Sequence, residues 1–178
     1  IMKILIIGGT GTISSAITRQ LAESEHELWL LNRGNRKQEV PANVKQIIAN
    51  IDDEADVLRQ IGDTMFDAVC EFIGFVTEQV ERDHRLFAGR TRQYVYISSA
   101  SAYAKPVRNY IINEGTSLCN PHWEYSRNKI ACEELLMKYY REEGFPVTII
   151  RPSHTYCERS VPVGLHGLKG SWQVLKRM

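Results

Sequence analysis

The sequence is poor in the features that mark several common protein classes. Its four cysteines are scattered and form no C-x-x-C pair, which predicts reduced thiols and argues against a zinc site or a disulfide framework. No apolar run approaches the roughly 20 residues that cross a bilayer, and no signal-peptide pattern is present. The formal net charge of +1 provides no strong field for nucleic acid or membrane lipid. We therefore expect a cytoplasmic protein without a metal, nucleic-acid or membrane partner.

The chain instead alternates short apolar runs with segments of helical period. Its 178 residues suffice for one domain with a sizeable core. Such strict alternation predicts an α/β fold: a Rossmann-like, doubly wound parallel sheet in the order 3-2-1-4-5-6, in three α/β/α layers. The predicted strands are 4–7, 27–31, 44–48, 66–72, 93–97 and 147–150. The predicted helices include 12–23, 77–87 and 124–142, and the stretch 102–122 is predicted to be irregular.

A glycine-rich turn follows the first strand and opens the first helix. The spacing is Gly8-x-x-Gly11-x-x-Ser14. Backbone N–H groups at a helix start favour an anion, and glycine lets the backbone approach it. The pattern predicts a pyrophosphate cradle formed by Gly8, Thr10, Gly11, Thr12 and Ile13, although an ordinary tight turn would look similar. Ser14 replaces a third glycine and is expected to hold the helix slightly farther from the sheet.

The second strand ends in Asn32-Arg33-Gly34 and carries no acid at this point. In dinucleotide-binding folds an acid here holds the ribose 2′-OH of NAD, whereas an arginine accommodates the 2′-phosphate of NADP. Asn32 and Arg33 therefore favour NADP over NAD. Arg36 and Lys37 could help to bind the phosphate or could simply be solvated.

A second constellation combines Ser99, at the end of strand five, with Tyr125 and Lys129. Residues i and i+4 share one helix face. A neighbouring ammonium favours phenolate and is expected to lower the pKa of Tyr125. The phenol could then exchange a proton with a carbinol while hydride moves to or from a nicotinamide, and Ser99 could hydrogen-bond the reacting oxygen.

These motifs and their order resemble those of extended short-chain dehydrogenases/reductases of the NAD-dependent epimerase/dehydratase family. The matching segments cover nearly the whole chain: 8–13, 67–69, 96–103, Tyr125-x-x-x-Lys129 and 150–153. The resemblance implies that Ser99, Tyr125 and Lys129 are catalytic and that Lys129 also holds the nicotinamide ribose. It further implies cofactor contacts at three strand ends: Asn50 and Ile51 at the adenine, Phe72, Ile73 and Gly74 after strand four, and Pro152 and Ser153 beside the nicotinamide.

The chain departs from the family pattern in several places. The Asn32-Arg33-Gly34 ending is similar to that of an atypical branch that includes plastid stem-loop RNA-binding proteins. Sugar dehydratases of the family carry an Asp-Glu pair where this chain has Ala100 and Ser101, which disfavours dehydration against epimerisation or simple redox chemistry. We expect a dinucleotide-binding domain at 1–155. Residues 156–178 are then the start of a crossover to a substrate domain whose remainder is absent.

These observations favour an NAD(P)-dependent epimerase or oxidoreductase that acts on a nucleotide sugar. Two alternatives stay open: an NADPH-dependent reductase of a small carbonyl compound, and a non-catalytic cofactor-sensing or RNA-binding protein with the same fold. The resemblance also implies a possible homodimer through the Tyr125 helix, for which the sequence offers Leu135, Leu136 and Met137.

Overall fold

The computed structural model describes residues 1–35, 40–157 and 176. Within this part of the chain the strands are β1 (Lys3–Ile7), β2 (Glu27–Asn32), β3 (Lys45–Ile48), β4 (Ala68–Glu71), β5 (Tyr94–Ile97) and β6 (Val147–Ile150). The helices are α1 (Thr12–Ala22), α2 (Glu54–Ile61), α3 (Thr77–Phe87) and α4 (Glu124–Glu143), with a short 3₁₀ turn at Ala100–Ala102.

The strands form one parallel sheet in the order β3-β2-β1-β4-β5-β6, which confirms the predicted topology. Parallel pairing places every carboxyl end at one edge, and Ile7 there pairs with Leu31 on one side and with Glu71 on the other. Ligands of open α/β sheets bind at this edge. We refer to it below as the carboxyl edge.

The central strands are buried on both faces because helices cover them on either side. Ile4 and Ile6 of β1 pack with Ile17 and Leu21 of α1. Leu5 and Ile7 face the larger cluster, which contains residues of α2, α3 and α4. This double burial explains why β1 is a continuous run of branched apolar residues rather than an alternating one.

Strand four and the loop after β5 differ in detail from the prediction. Phe66 makes only an isolated parallel bridge to Thr91, so β4 begins two residues later, at Ala68. The stretch predicted to be irregular contains the 3₁₀ turn and an antiparallel bridge between Tyr103 and Leu118. The loop therefore folds back on itself rather than running free.

Helix α4 packs against the sheet through Leu135 and Leu136, two of the three apolar residues that the sequence offers for a homodimer. Leu136 is wholly buried in the chain's own core, and Leu135 packs against the same cluster. Leu136 is therefore not available to a second copy, and only Met137 of that trio stands outside the core clusters. No helix of the described residues combines the length and hydropathy that crossing a membrane requires.

Candidate functional site

The glycine turn at the carboxyl edge of β1 has a backbone that only glycine adopts easily. Gly8 has φ = 81°, and a Cβ atom there would lie 2.5 Å from Cγ2 of Ile73. A Cβ at Gly9 would lie 2.6 Å from Cδ2 of Leu30. The turn is therefore packed tightly against the residue that follows β4, so two predicted cofactor-binding segments are in contact.

Ser14 fastens this turn to the first turn of α1. Its hydroxyl donates to the Gly8 carbonyl at 2.8 Å and accepts from the Gly11 N–H at 2.8 Å, and the side chain is buried. The Gly11 N–H therefore has a partner inside the loop. Thr12 and Ile13 lie in the first helical turn, where N–H groups have no intrahelical acceptor and can face an anion.

The carboxyl ends of β2 and β3 lie beside this turn. The Asn32 side chain accepts from the Gly34 N–H at 2.8 Å, so it shapes the turn after β2, while Arg33 is exposed. Asn50 is exposed as well, whereas Ile51 is buried in the larger core cluster. Arg36 and Lys37 lie outside the described residues.

The segment after β4 connects the glycine turn to α4 through the Gly74 carbonyl. This oxygen accepts from Lys129 Nζ at 2.7 Å and from the Tyr96 hydroxyl at 3.0 Å. A Cβ at Gly74 would stand 3.1 Å from Tyr96 and from the Glu71 side chain. The predicted cofactor segment 72–74 is thus held in place by the buried side chains of Lys129 and Tyr96, which both bond to its last carbonyl.

Ser99, Tyr125 and Lys129 converge at the same edge. Ser99 precedes the 3₁₀ turn directly after β5, and its side chain is close enough to the half-buried Tyr125 phenol to lower the pKa of that phenol. Lys129 follows one helical turn later and is buried, with Nζ also donating to the Ile97 carbonyl at 2.7 Å. Nζ lies 5.7 Å from the centre of the Tyr125 ring.

Burial, rather than the ammonium, dominates the ionisation of this pair. It raises the pKa of Tyr125, and the hydrogen bond from Ser99 offsets part of the rise. Burial also lowers the pKa of Lys129 to about 8, since the charged form loses solvation. The expected lowering of the Tyr125 pKa by Lys129 is therefore wrong for the protein as it stands.

A row of two hydroxyls, the half-buried Ser101 and the buried Ser126, extends behind Ser99. In the sequence, Ser101 is marked only by its departure from the family pattern. Ser101 Oγ lies 2.9 Å from Ser99 Oγ and accepts from Ser126 Oγ at 2.9 Å. Asn120 closes the row, because its Nδ2 donates to the Ser101 carbonyl at 2.8 Å and to Ser126 Oγ at 3.4 Å. Ser126 follows the predicted catalytic tyrosine directly, which is the one sequence signal for it.

A buried ionic cluster supports the cofactor segment from the side of α3. Arg82 pairs with Asp83 at 2.8 Å and with Asp52 at 2.7 Å, and it approaches Glu71 to 3.6 Å. Glu71 accepts from the Ile73 N–H. Burial and the neighbouring Asp83 raise the pKa of Glu71 well above its usual range.

The end of β6 and the start of α4 complete the edge. The Pro152 carbonyl accepts from the Ala100 N–H at 2.9 Å, while Ser153 is exposed. Trp123 is exposed and its ring lies 4.7 Å from that of Tyr125. Among the described residues, no group of three His, Cys, Asp or Glu side chains could hold a metal ion.

The residues predicted to form the site are therefore gathered along one edge. Gly8 contacts Ile73, the adjacent Gly74 binds Lys129, and Tyr125 on the same helix lies beside Ser99. A nicotinamide dinucleotide fits the chemistry of the carboxyl edge, since helix-start N–H groups suit a pyrophosphate and a half-buried Ser-Tyr pair suits a carbinol.

Comparison with known proteins agrees with this arrangement. The chain is 27% identical to UDP-glucose 4-epimerase of Lactobacillus helveticus over 84% of its own length and 51% of the relative's. It is similar in structure to Pal from Bacillus thuringiensis, with a TM-score of 0.76 and 26% identity over 93% of this chain and 60% of that one. UDP-glucose 4-epimerase from Bifidobacterium longum, solved with NAD+ and UDP, has a TM-score of 0.67 and 19% identity over 84% of this chain and 52% of that one.

The chain thus spans about half the length of the epimerases it matches. A sequence model described as the NAD dependent epimerase/dehydratase family matches residues 4–167, which is most of the chain. The chain belongs to the NAD-dependent epimerase/dehydratase family.

Proposed function

We propose that this chain is the dinucleotide-binding part of an NAD(P)-dependent epimerase or oxidoreductase that acts on a nucleotide sugar. The observation that carries the proposal is the convergence of Ser99, Tyr125 and Lys129 beside the glycine turn. Family membership supports the reaction class. The similarity to UDP-glucose 4-epimerases supports a nucleoside-diphosphate sugar as the substrate.

Each side chain has a distinct role in the proposed reaction. Tyr125 gives a proton to the reacting sugar oxygen or takes one from it, and the hydride would be exchanged with the sugar carbon by the bound nicotinamide. Ser99 donates a hydrogen bond to the same oxygen. Lys129 holds the ribose and, once charged, stabilises the phenolate. The bound cofactor supplies the hydride chemistry itself, and the chain binds and orients it.

The cofactor is proposed to lie along the carboxyl edge, in the order in which the strands end. Thr12 and Ile13 face the pyrophosphate, and Asn50 borders the adenine. Gly74 and Pro152 border the nicotinamide end. Arg33 is proposed to bind a 2′-phosphate, so NADP is preferred over NAD. The exposed guanidinium at the end of β2, where no acid stands, supports this choice.

The test is interconversion of a UDP-hexose and its 4-epimer, followed by NMR in the presence of NAD or NADP. It is run on this chain with each dinucleotide in turn. Tyr125→Phe should retain cofactor binding and reduce turnover by about 100-fold or more, since a general acid-base group is lost. Tyr140→Phe, at an exposed tyrosine of the same helix, should turn over at the wild-type rate.

Three results would contradict the proposal. Tyr125→Phe could epimerise as fast as the wild type, which would remove the tyrosine from the reaction. The protein could reduce small carbonyl compounds with NADPH and leave nucleotide sugars untouched, which would favour the reductase alternative. It could also bind RNA and neither dinucleotide, which would favour a non-catalytic role.

A further inference from the structure

The hydroxyl row behind Ser99 has a direction, and that direction is set by Asn120. The Asn120 amide is oriented at both ends, since Oδ1 accepts from the His122 N–H at 3.2 Å and Nδ2 donates to the Ser101 carbonyl at 2.8 Å. An amide nitrogen can only donate. Its 3.4 Å contact with Ser126 therefore makes Ser126 Oγ an acceptor there.

The direction passes from Ser126 to Ser99 in two further steps. Because Ser126 Oγ accepts from Asn120, its own proton is free to be donated to Ser101 Oγ, 2.9 Å away. Ser101 Oγ accepts from Ser126 and keeps its own O–H, which can be donated to Ser99 Oγ, also 2.9 Å away. In this arrangement each hydroxyl accepts from the residue behind it and donates to the residue in front.

With Ser101 as the donor, the hydrogen bonds of Ser99 are fixed. Its oxygen accepts from the Ser101 hydroxyl at 2.9 Å and from the Ser101 backbone N–H at 3.1 Å. Both acceptor positions are then occupied, and the hydroxyl keeps its own O–H to donate. That proton can be donated toward the Tyr125 phenol, whose pKa the Ser99 side chain lowers.

Burial protects the Ser126 end of this hydrogen-bond row from water. Ser126 is wholly buried, and Asn120 and the neighbouring Ala102 are buried as well. Water does not compete well for hydroxyls in such surroundings, and a buried hydrogen-bond network holds one arrangement. Lys129 Nζ lies 5.7 Å from the centre of the Tyr125 ring, and the rings of Trp123 and Phe75 lie beside it.

We propose that Ser101 and Ser126 are positioning residues that fix the Ser99 hydroxyl as a hydrogen-bond donor toward the Tyr125 oxygen and the reacting oxygen of a substrate. The claim about a substrate oxygen rests on the proposed function, whereas the claim about Ser99 and Tyr125 does not depend on it. Ser101 occupies a position where sugar dehydratases of the family carry an acid. The row thus replaces an acid-base group by a fixed donor, which suits epimerisation or simple redox chemistry.

The test measures the pKa of the Tyr125 phenol directly and needs no turnover. Tyrosine labelled at Cζ is titrated by NMR, and Tyr125→Phe assigns the signal among the eight tyrosines. Ser99→Ala should raise the pKa of Tyr125 by about one unit, since phenolate loses a charged hydrogen bond. Ser101→Ala and Ser126→Ala should produce most of that rise although neither residue is bonded directly to the phenol.

Two control variants separate positioning from general damage. Ser98→Ala removes an adjacent buried hydroxyl that points to Glu133 and not to Ser99, so it should leave the Tyr125 signal unchanged. Ser101→Thr keeps the hydroxyl and should restore the wild-type titration. If Ser101→Ala does not fold, Ser126→Ala tests the same row from the helix side.

The outcomes distinguish this proposal from the proposed function. If Ser99→Ala raises the pKa of Tyr125 while Ser101→Ala and Ser126→Ala leave it unchanged, the positioning role is overturned and the catalytic proposal stands. If Ser99→Ala also leaves it unchanged, the Ser99–Tyr125 pair itself fails, and the catalytic proposal fails with it. If all three raise it and Ser101→Thr restores it, the row positions Ser99.

Discussion

At the scale of single residues, we propose that the choice between NADP and NAD depends on the side chain that follows β2. Arg33 is exposed at the carboxyl edge, and Asn32 beside it is occupied with the Gly34 N–H. A guanidinium binds a phosphate through paired hydrogen bonds, whereas an uncharged ribose hydroxyl can accept only a single weaker hydrogen bond from it.

We predict that Arg33→Ala weakens NADPH binding by about tenfold or more, since a charge-assisted contact with phosphate is lost. NADH binding should stay the same. Calorimetric titration of both dinucleotides measures the two affinities. Arg59→Ala, at an exposed arginine in the last turn of α2, should change neither. An equal loss for both dinucleotides, or a wild-type protein that binds NADH more tightly, would contradict the prediction.

The glycine turn could be predicted from the sequence because its backbone conformation depends on residues that are neighbours in the chain. Gly8 needs a positive φ, which follows from a strand that turns into a helix, whereas its close contact with Ile73 comes from the tertiary fold. The bonds of Ser14, which stitch the turn, could not be predicted. Its position suggested only a larger side chain than glycine, whereas its hydroxyl reaches two backbone groups of the loop.

At the scale of elements, α3 supports the carboxyl edge through a buried arginine. Arg82 joins the α3 acid Asp83 to Asp52 in the loop before α2, and it lies near Glu71 at the end of β4. The Tyr94 hydroxyl donates to Asp83 at 2.6 Å and adds β5 to the cluster. Residues of α3, of β4 and of the loop before α2 thus gather around the Arg82 guanidinium, and β5 joins them through Asp83.

We predict that Arg82→Leu lowers the free energy of unfolding by about 3 kcal/mol, because it leaves Asp83 buried without its cation. Chemical denaturation measures the loss. Arg85→Ala is the matched control on the same helix: its partner Glu54 is also an acid, but Arg85 is 55% exposed, so little change is expected. Equal effects of the two substitutions would show that burial of Arg82 does not matter.

The order of the elements could be predicted from the alternation of apolar runs and helical segments, and the topology is confirmed. The limits of β4 could not. Phe66 continues the apolar run, yet it pairs only with Thr91 outside the regular strands. The ionic cluster was also beyond prediction, because Asp52, Glu71 and Arg82 are distant in sequence and meet only after three crossovers have formed.

At the scale of the whole molecule, the buried Lys129 ammonium reduces the free energy of unfolding. Lys129 is almost completely buried beside aromatic rings and two backbone carbonyls. Its pKa is about 8 in the folded chain against an ordinary value of 10.5. Keeping such a group uncharged, or charged without solvent, costs free energy that a purely structural core would not spend.

The sign of this effect on stability follows from proton binding. Between about pH 8 and pH 10.5 the unfolded chain holds a proton on Lys129 that the folded chain has lost. Raising the pH through this interval removes the proton from the unfolded chain and so favours folding. Cys70 acts in the opposite sense, since burial raises the pKa of its thiol to about 11. A comparison of variants that share Cys70 cancels its contribution.

We predict that wild-type protein gains about 3 kcal/mol of unfolding free energy relative to Lys129→Met as the pH rises from neutrality to 10.5. Urea denaturation at a series of pH values measures both proteins. Lys138→Met, at an exposed lysine of the same helix, should run parallel to the wild type throughout. If Lys129→Met also runs parallel, the buried ammonium is as well solvated as a surface lysine. The cost assigned to the site would then lie elsewhere, with the buried carboxyl of Glu71 as the next group to test at low pH.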